Sequence, residues 1–336
     1  MTHPLRLADN RVPVYYAGGE RISEFRGVAP ATGPEDWVGS LSALPSAILP
    51  AGHPADTGVS RTGAGSLAEL VAADPAAWLG EKLAAAYGGS SGVLVKLLDA
   101  GERLPVHCHP DRQFARARLG SLFGKTEGWI VLATAADAKV WLGMRDQVDR
   151  DDLRRWIAGQ DTAAMLAAMN ELTVRPGQVL YVPAGVPHSI GPGVLITELQ
   201  EPTSFSVLAD HDAFGVGEQA ATLGLGWDVA LDCFDLSGYA RRSADLLPTP
   251  RSLAPGVTSL FAAEADEFFR AWRVDCTDAV RLAEPSFAVV VVTEGAGECG
   301  SLQVQKGQTL VIPYAAGPLE FRGSVTAIVC LPPEVP

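Results

Sequence analysis

The sequence predicts an all-β protein built from two barrels, with short helical insertions. Two observations point to it. Glycine (35 residues) and proline (24) recur between short apolar runs, the punctuation of many strands joined by turns. An internal echo also exists, between Pro-Gly-Gln-Val-Leu-Tyr-Val-Pro at 176–183 and Lys-Gly-Gln-Thr-Leu-Val-Ile-Pro at 306–313. In each copy a turn glycine leads into a short strand that stops at proline, the trace left by a duplicated β-barrel module.

In chain order, strand-like runs fall at 92–98, 129–133, 139–142, 179–182, 194–199, 287–293, 309–312 and 325–331. Two stretches read as helix. Over 66–87, Leu67, Leu70, Val71, Trp78, Leu79 and Leu83 recur at near-helical spacing. Over 151–172, Leu153, Trp156, Ile157, Met165, Leu166 and Met169 do the same, with Asp151 and Asp152 available as an N-terminal cap. The polar, proline-containing stretch 237–255 reads as a connection, which divides the chain into domains at 1–240 and 248–336.

The bulk numbers agree with this division and exclude several functions. A length of 336 residues suits two domains, and 47% apolar against 19% charged residues supplies packed cores. Lys plus Arg is 26 and Asp plus Glu is 39, a net charge of −13 with no basic tract, so neither nucleic acid nor an anionic membrane is an expected partner. No apolar run of about 18 residues would span a membrane, and the first residues lack the pattern of a secretory signal. Five scattered cysteines, never spaced as CxxC, fit reduced thiols and a cytoplasmic location.

The chemistry begins at Gly101, where the chain reads G-x5-H-x-H through His107 and His109. On a strand, side chains at i and i+2 share a face, so both imidazoles can aim at one point with Cys108 opposite. The second piece runs from Gly177 to His188 as G-x5-P-x-G-x2-H. Together these patterns resemble the two signature halves of the cupin barrel, and the glutamate of that pattern has a candidate in Glu127. Three imidazoles and one carboxylate form a mixed N/O donor set for one divalent transition metal, Zn first, with Fe, Mn, Ni and Co in the same class. His3, His53 and His211 read as structural or surface residues. The second half has no histidine after His211, so it cannot repeat the site.

The motif order carries a closer resemblance. Leu94–Ala100 (LVKLLDA), Val106–Asp111 (VHCHPD), Gly124–Trp129 (GKTEGW), Val182–His188 (VPAGVPH) and Glu198–Gln200 (ELQ) resemble the type I mannose-6-phosphate isomerase family in order and separation. The resemblance covers most of the chain and is strongest over 92–205. It implies a bicupin fold and a metal-dependent aldose–ketose isomerase with mannose 6-phosphate as the family substrate. It places the metal on His107, His109, Glu127 and His188, the first a departure because the family has Gln there. Lys125 shares a strand face with Glu127 and is the candidate donor to a developing enediolate. Glu198 is the acid/base candidate, and Lys96, a charge inside an apolar run, joins them. Arg112, Gln200 and Trp129 form the expected substrate-binding set.

A second departure concerns the family's Tyr-Arg pair about ten residues beyond this glutamate. Here Val207-Leu208 stands in its place, and no Lys or Arg occurs between Arg175 and Arg241. This leaves open an unphosphorylated sugar. Two other readings follow, a non-catalytic carbohydrate-binding or regulatory descendant of the isomerases and an Fe(II) cupin oxygenase. The expected partner is a small sugar or sugar phosphate, and the chain is expected to be a monomer or homodimer.

Overall fold

The computed structural model describes residues 3–46 and 48–335. Strands dominate and pair antiparallel. The first half contributes β1 (Leu5–Leu7), β2 (Arg11–Val12), β3 (Glu35–Val38), the hairpin β4–β5 (Arg61–Thr62, Gly65–Ser66), β6 (Leu94–Asp99), β7 (His107–Cys108), β8 (Glu127–Thr134), β9 (Lys139–Met144), β10 (Met169–Thr173), β11 (Val179–Val182), β12 (His188–Ile190), β13 (Val194–Gln200) and β14 (Val207–Leu208). Two sheets result, one in the order β11-β8-β13-β6-β3-β2 and one in the order β10-β9-β12-β7-β14. They pack face to face around Leu98, Trp129, Val131 and Val182 from the first and Val140, Leu142 and Ile190 from the second.

The second half forms one nine-stranded sheet from β15 (Arg251–Ala254), β16 (Val257–Ser259), β17 (Arg270–Cys276), β18 (Ala279–Leu282), β19 (Ala288–Cys299), β20 (Leu302–Gln305), β21 (Thr309–Ile312) and β22 (Leu319–Leu331). Its ninth member is β1, which leaves the first half to pair with β21. Alternation along β19 sorts the core. Val290 and Val292 pack inside the second half, while Val289 and Val291 face the other way. There they meet Val95, Leu97, Ile130 and Leu199 from the outer face of the first half, and one apolar layer joins the halves. Gly128 on β8 lies at this junction. A Cβ there would sit 2.5 Å from Phe261 Cζ, so close packing of the halves requires glycine beside Glu127.

All eight strand-like runs are strands. The stretch 66–87 is helical, but as three short helices, Leu67–Ala73, Pro75–Leu79 and Glu81–Tyr87. Ser66 and Glu69 form a capping box on the first, Asp74 caps the second ahead of Pro75, and Gly80 at φ 80° turns the chain into the third. The stretch 151–172 divides similarly into Arg150–Ala158 and Thr162–Ala168. The cap residue of the first of these is Asp149, with Asp151 and Asp152 inside the first turn. Beyond Ala168 the helical spacing gives way to β10, because Met169 to Thr173 pair with β9. No helix among the described residues is long and apolar enough to cross a membrane.

Candidate metal centre

Strand pairing assembles the histidines. His107 on β7 is the register partner of His188 on β12, and His109 follows two residues after His107. The three rings meet edge-on or tilted in a triangle, with centroids 4.1 Å apart for His107–His188, 4.8 Å for His109–His188 and 5.0 Å for His107–His109. One ligand nitrogen from each lies within 4.8 Å of the others. All three side chains are buried.

The backbone fixes which nitrogen faces inward. Nδ1 of His107 lies 2.7 Å from the Pro105 carbonyl, Nδ1 of His109 2.7 Å from that of Phe205, and Nδ1 of His188 2.8 Å from that of Val186. A carbonyl only accepts, so each Nδ1 carries the proton and each Nε2 offers a lone pair, the arrangement in which backbone carbonyls orient metal-ligating histidines. His188 Nε2 is buried with no hydrogen-bond partner. Nε2 of His109 faces Glu127 Oε1 at 3.0 Å. Two acceptors at that distance repel unless a cation lies against both. The Lys125 ammonium does so, 2.9 Å from Glu127 Oε1 and 3.3 Å from His109 Nε2. This donor set, three neutral imidazoles and a carboxylate with one orphaned lone pair, fits a divalent metal.

Burial, followed by the neighbouring cation Lys125, pushes His109 down to about 3. Burial and the other two rings hold His107 well below its ordinary value, and burial lowers His188 as well. Burial would raise Glu127, but Lys125 and the histidines outweigh it and hold the carboxyl well below the usual range. In the unfolded chain the histidines take up protons near 6.5, whereas the folded metal-free protein keeps them neutral to lower pH. Each histidine therefore contributes stability that is present above about pH 6.5 and is lost at about 1.4 kcal/mol per pH unit below it, until its folded value is reached. Urea unfolding of chelator-treated protein from about pH 7.5 down to 4.5 is expected to show this decline. A flat profile would contradict the neutral trio.

Behind the triangle, one row crosses the six-stranded sheet. Trp129 is the register partner of Glu198, Glu198 of Lys96, and Lys96 of Trp37, so all four face the interior. Trp129 Nε1 donates to Glu127 Oε2 at 3.1 Å and to Glu198 Oε1 at 3.3 Å, holding both carboxylates with one indole. Lys96 Nζ sits 3.3 Å from Glu198 Oε2 and 3.3 Å from Glu35 Oε2. Glu35 also accepts from Tyr16 at 2.5 Å and from Trp37 Nε1 at 2.6 Å. Burial would raise Glu35, but Lys96 and these donors bring it below the usual carboxylate range. Burial, reinforced by the Glu127 charge, instead pushes Glu198 up to about 8.

Lys96, Lys125, Glu127, Trp129, His107, His188 and Glu198 surround one small space of about 30 Å³, room for a single ion or water. Larger clefts of about 710 and 760 Å³ elsewhere on the protein hold none of these groups. Two of the expected substrate residues are not among the lining. Arg112 follows the cap residue Asp111 and points to Glu201, at 2.5 Å, and to Glu267, at 3.2 Å. Glu201 accepts from the backbone of Gly124 and Thr126, so Arg112 steadies the turn that carries Lys125 and Glu127. Gln200 turns its amide to the carbonyls of Glu201 and Thr203. Four residues that sequence reasoning missed do line the space: Tyr15, Tyr16, Glu35 and Ser206. Glu35 and Trp37, two apart on a strand, are the one local signal for them. Of the histidines read as structural, His3 and His53 are exposed and His211 is hydrogen-bonded to the Val216 carbonyl.

No protein-family model matches the chain. Among curated proteins it is 27% identical over 241 residues to mannose-6-phosphate isomerase of Streptococcus mutans, covering 70% of this chain and 72% of that one. It is 25% identical over 242 residues to mannose-6-phosphate isomerase ManA of Bacillus subtilis, covering 70% and 74%. Its relatives are mannose-6-phosphate isomerases. Solved structures agree on the fold. The mannose 6-phosphate isomerase of Bacillus subtilis superposes with a TM-score of 0.71 over 98% of this chain and 99% of that one, at 22% identity. A variant of phosphomannose isomerase from Salmonella typhimurium does so at 0.73 over 98% and 100%, at 15% identity.

Proposed function

We propose that this protein is a metal-dependent aldose–ketose isomerase, interconverting mannose 6-phosphate and fructose 6-phosphate or a related sugar or sugar phosphate pair. The observation that carries this reading is the convergence of three Nδ1-anchored imidazoles on one point beside Glu127. Relatives with that activity support it. His107, His109, Glu127 and His188 are the proposed ligands of a single divalent ion, Zn foremost. The bound ion would supply Lewis-acid polarisation of the carbonyl and hydroxyl oxygens at C1 and C2.

The chain's own groups account for the proton traffic. Glu198 is held at Oε1 by Trp129, while its buried Oε2 makes no hydrogen bond and has the Lys96 ammonium 3.3 Å away. That oxygen is the proposed acid/base, taking the proton from C2 of the aldose and returning it to C1. Lys125, beside Glu127, donates to the oxygen on which charge develops. Lys96 offsets the charge that Glu198 carries when deprotonated. In this reading the metal-bearing half, 1–240, and the half from 248 to 336 are the two barrels of a bicupin, and Trp129 flanks the sugar. Five free, buried cysteines are consistent with a reducing, cytoplasmic setting.

Metal-loaded protein is expected to exchange aldose and ketose in a panel of sugars and their phosphates. No exchange across that panel would refute the proposal. Glu198→Gln is expected to lower kcat about 10²–10⁴-fold, the usual weight of a positioned acid/base. Its metal content, read by elemental analysis, should stay that of the parent, and a loss of metal would instead assign Glu198 to the ligand set.

A further inference from the structure

The space at the histidines admits about one atom, at roughly 30 Å³, so a sugar bound there must extend elsewhere. The adjoining cavity is the place. It encloses about 320 Å³, within the range of ordinary small-ligand pockets. Tyr15 and Ser206 line both spaces, and Ser206 Oγ lies 3.4 Å from His109 Nδ1. These two side chains are the wall shared by the metal centre and the larger cavity.

The walls of that cavity are Val14, Ile48, Pro50, Leu208, Val216 and Leu223, with Ser204, Ser206 and glycines between them. Among the described residues, no Lys, Arg, His, Asp or Glu lines it. The acidic side chains on the segment that forms one wall are the buried Asp210 and the exposed Asp212 and Glu218, and the segment carries no Lys or Arg. Arg103, which packs over Phe214, is paired with Asp210 at 2.6 Å and donates to the Leu104 carbonyl at 2.7 Å. A phosphomonoester carries about −1.5 to −2 charges at pH 7. Burying it against aliphatic walls without a counter-ion is unfavourable, and the net charge of −13 adds to the cost.

We propose that this cavity receives the distal end of an uncharged aldose, so that the substrate is a neutral sugar with no phosphate. A methyl-terminated, 6-deoxy end would suit its aliphatic walls best. The inference rests on the isomerase reading for the direction in which the sugar lies, and the test separates the two. Calorimetry on the metal-loaded protein would compare D-mannose, 6-deoxy-D-mannose and D-mannose 6-phosphate, with turnover of each measured in parallel. The two neutral sugars are expected to bind at least ~10-fold more tightly than the phosphate. Tighter binding of mannose 6-phosphate would overturn this inference and leave the isomerase reading standing. Neutral binding without aldose–ketose exchange would do the reverse, and no binding by any of the three would remove both. Ser204→Arg puts a cation on a half-exposed part of the wall, and it is expected to improve mannose 6-phosphate binding by ~10-fold relative to D-mannose. An unchanged ratio would overturn the assignment of this wall to the distal end.

Discussion

Replacing His188 with alanine is expected to abolish both metal retention and turnover. Its Nε2 is the one imidazole nitrogen of the trio that is buried without any partner, protein cation included. His109→Ala should give the same result, and it also frees Glu127 from the facing lone pair at 3.0 Å. Loss of a hydrogen-bonding partner behind a metal ligand commonly costs about 10–100-fold in affinity or activity, and loss of a ligand itself should exceed that. The exposed His53 gives the control, because His53→Ala should keep the parental metal content. Elemental analysis after dialysis decides the matter. If both site variants retained a full complement of metal, the ion would lie elsewhere.

The second large effect concerns stability. Lys96 is the cation between Glu35 and Glu198, and all three side chains are at most 7% exposed. Lys96→Met keeps much of the side-chain volume and leaves two buried carboxylates without their counter-ion. Breaking a buried pair in this way costs about 3–5 kcal/mol. The pH dependence gives the mechanism away. Without Lys96 both folded-state carboxyl values rise, so the deficit should shrink as pH falls and protons replace the missing charge. Adding Glu35→Gln should recover part of the loss, since it removes one of the stranded charges while Tyr16 and Trp37 still find a polar partner. Urea midpoints at about pH 5 and pH 8 would measure this. A loss below about 1 kcal/mol at pH 8 would mean that water already solvates the triad.

Local sequence carried the site where its geometry is local. His107 and His109 are two apart, and an extended backbone is enough to align their rings. Lys96 stands out as a charge inside an apolar run, and its neighbours Leu94 and Leu98 face the interior with it. Its partner Glu35 has only the i, i+2 spacing to Trp37 as a local signal, because β3 joins β6 from some sixty residues away. Arg112 lies three residues after His109 in sequence, a nearness that suggests a substrate contact. Its direction is instead set by the Asp111 cap and by Glu267, a residue of the other half. The strand at 169–173 shows the same limit, since its apolar spacing is compatible with helix and only the free edge of β9 selects the extended form. Tyr15 and Ser206 lie on loops, and their place at the centre depends on sheets that assemble long after the local chain is set.

The pairing of Leu5–Leu7 with Thr309–Val311 carries a consequence for folding. Leu5–Leu7 belongs to a ladder whose other member follows about 300 residues later in the chain, and such distant pairings form slowly because the intervening loop must close first. Until that pairing forms, the Leu5–Leu7 segment has no ladder partner, and its unpaired edge is open to wrong associations. Deleting Leu5–Leu7 would thus strip an edge from the far half of the molecule and leave β21 bare on one side, while the histidine pocket lost none of its lining residues.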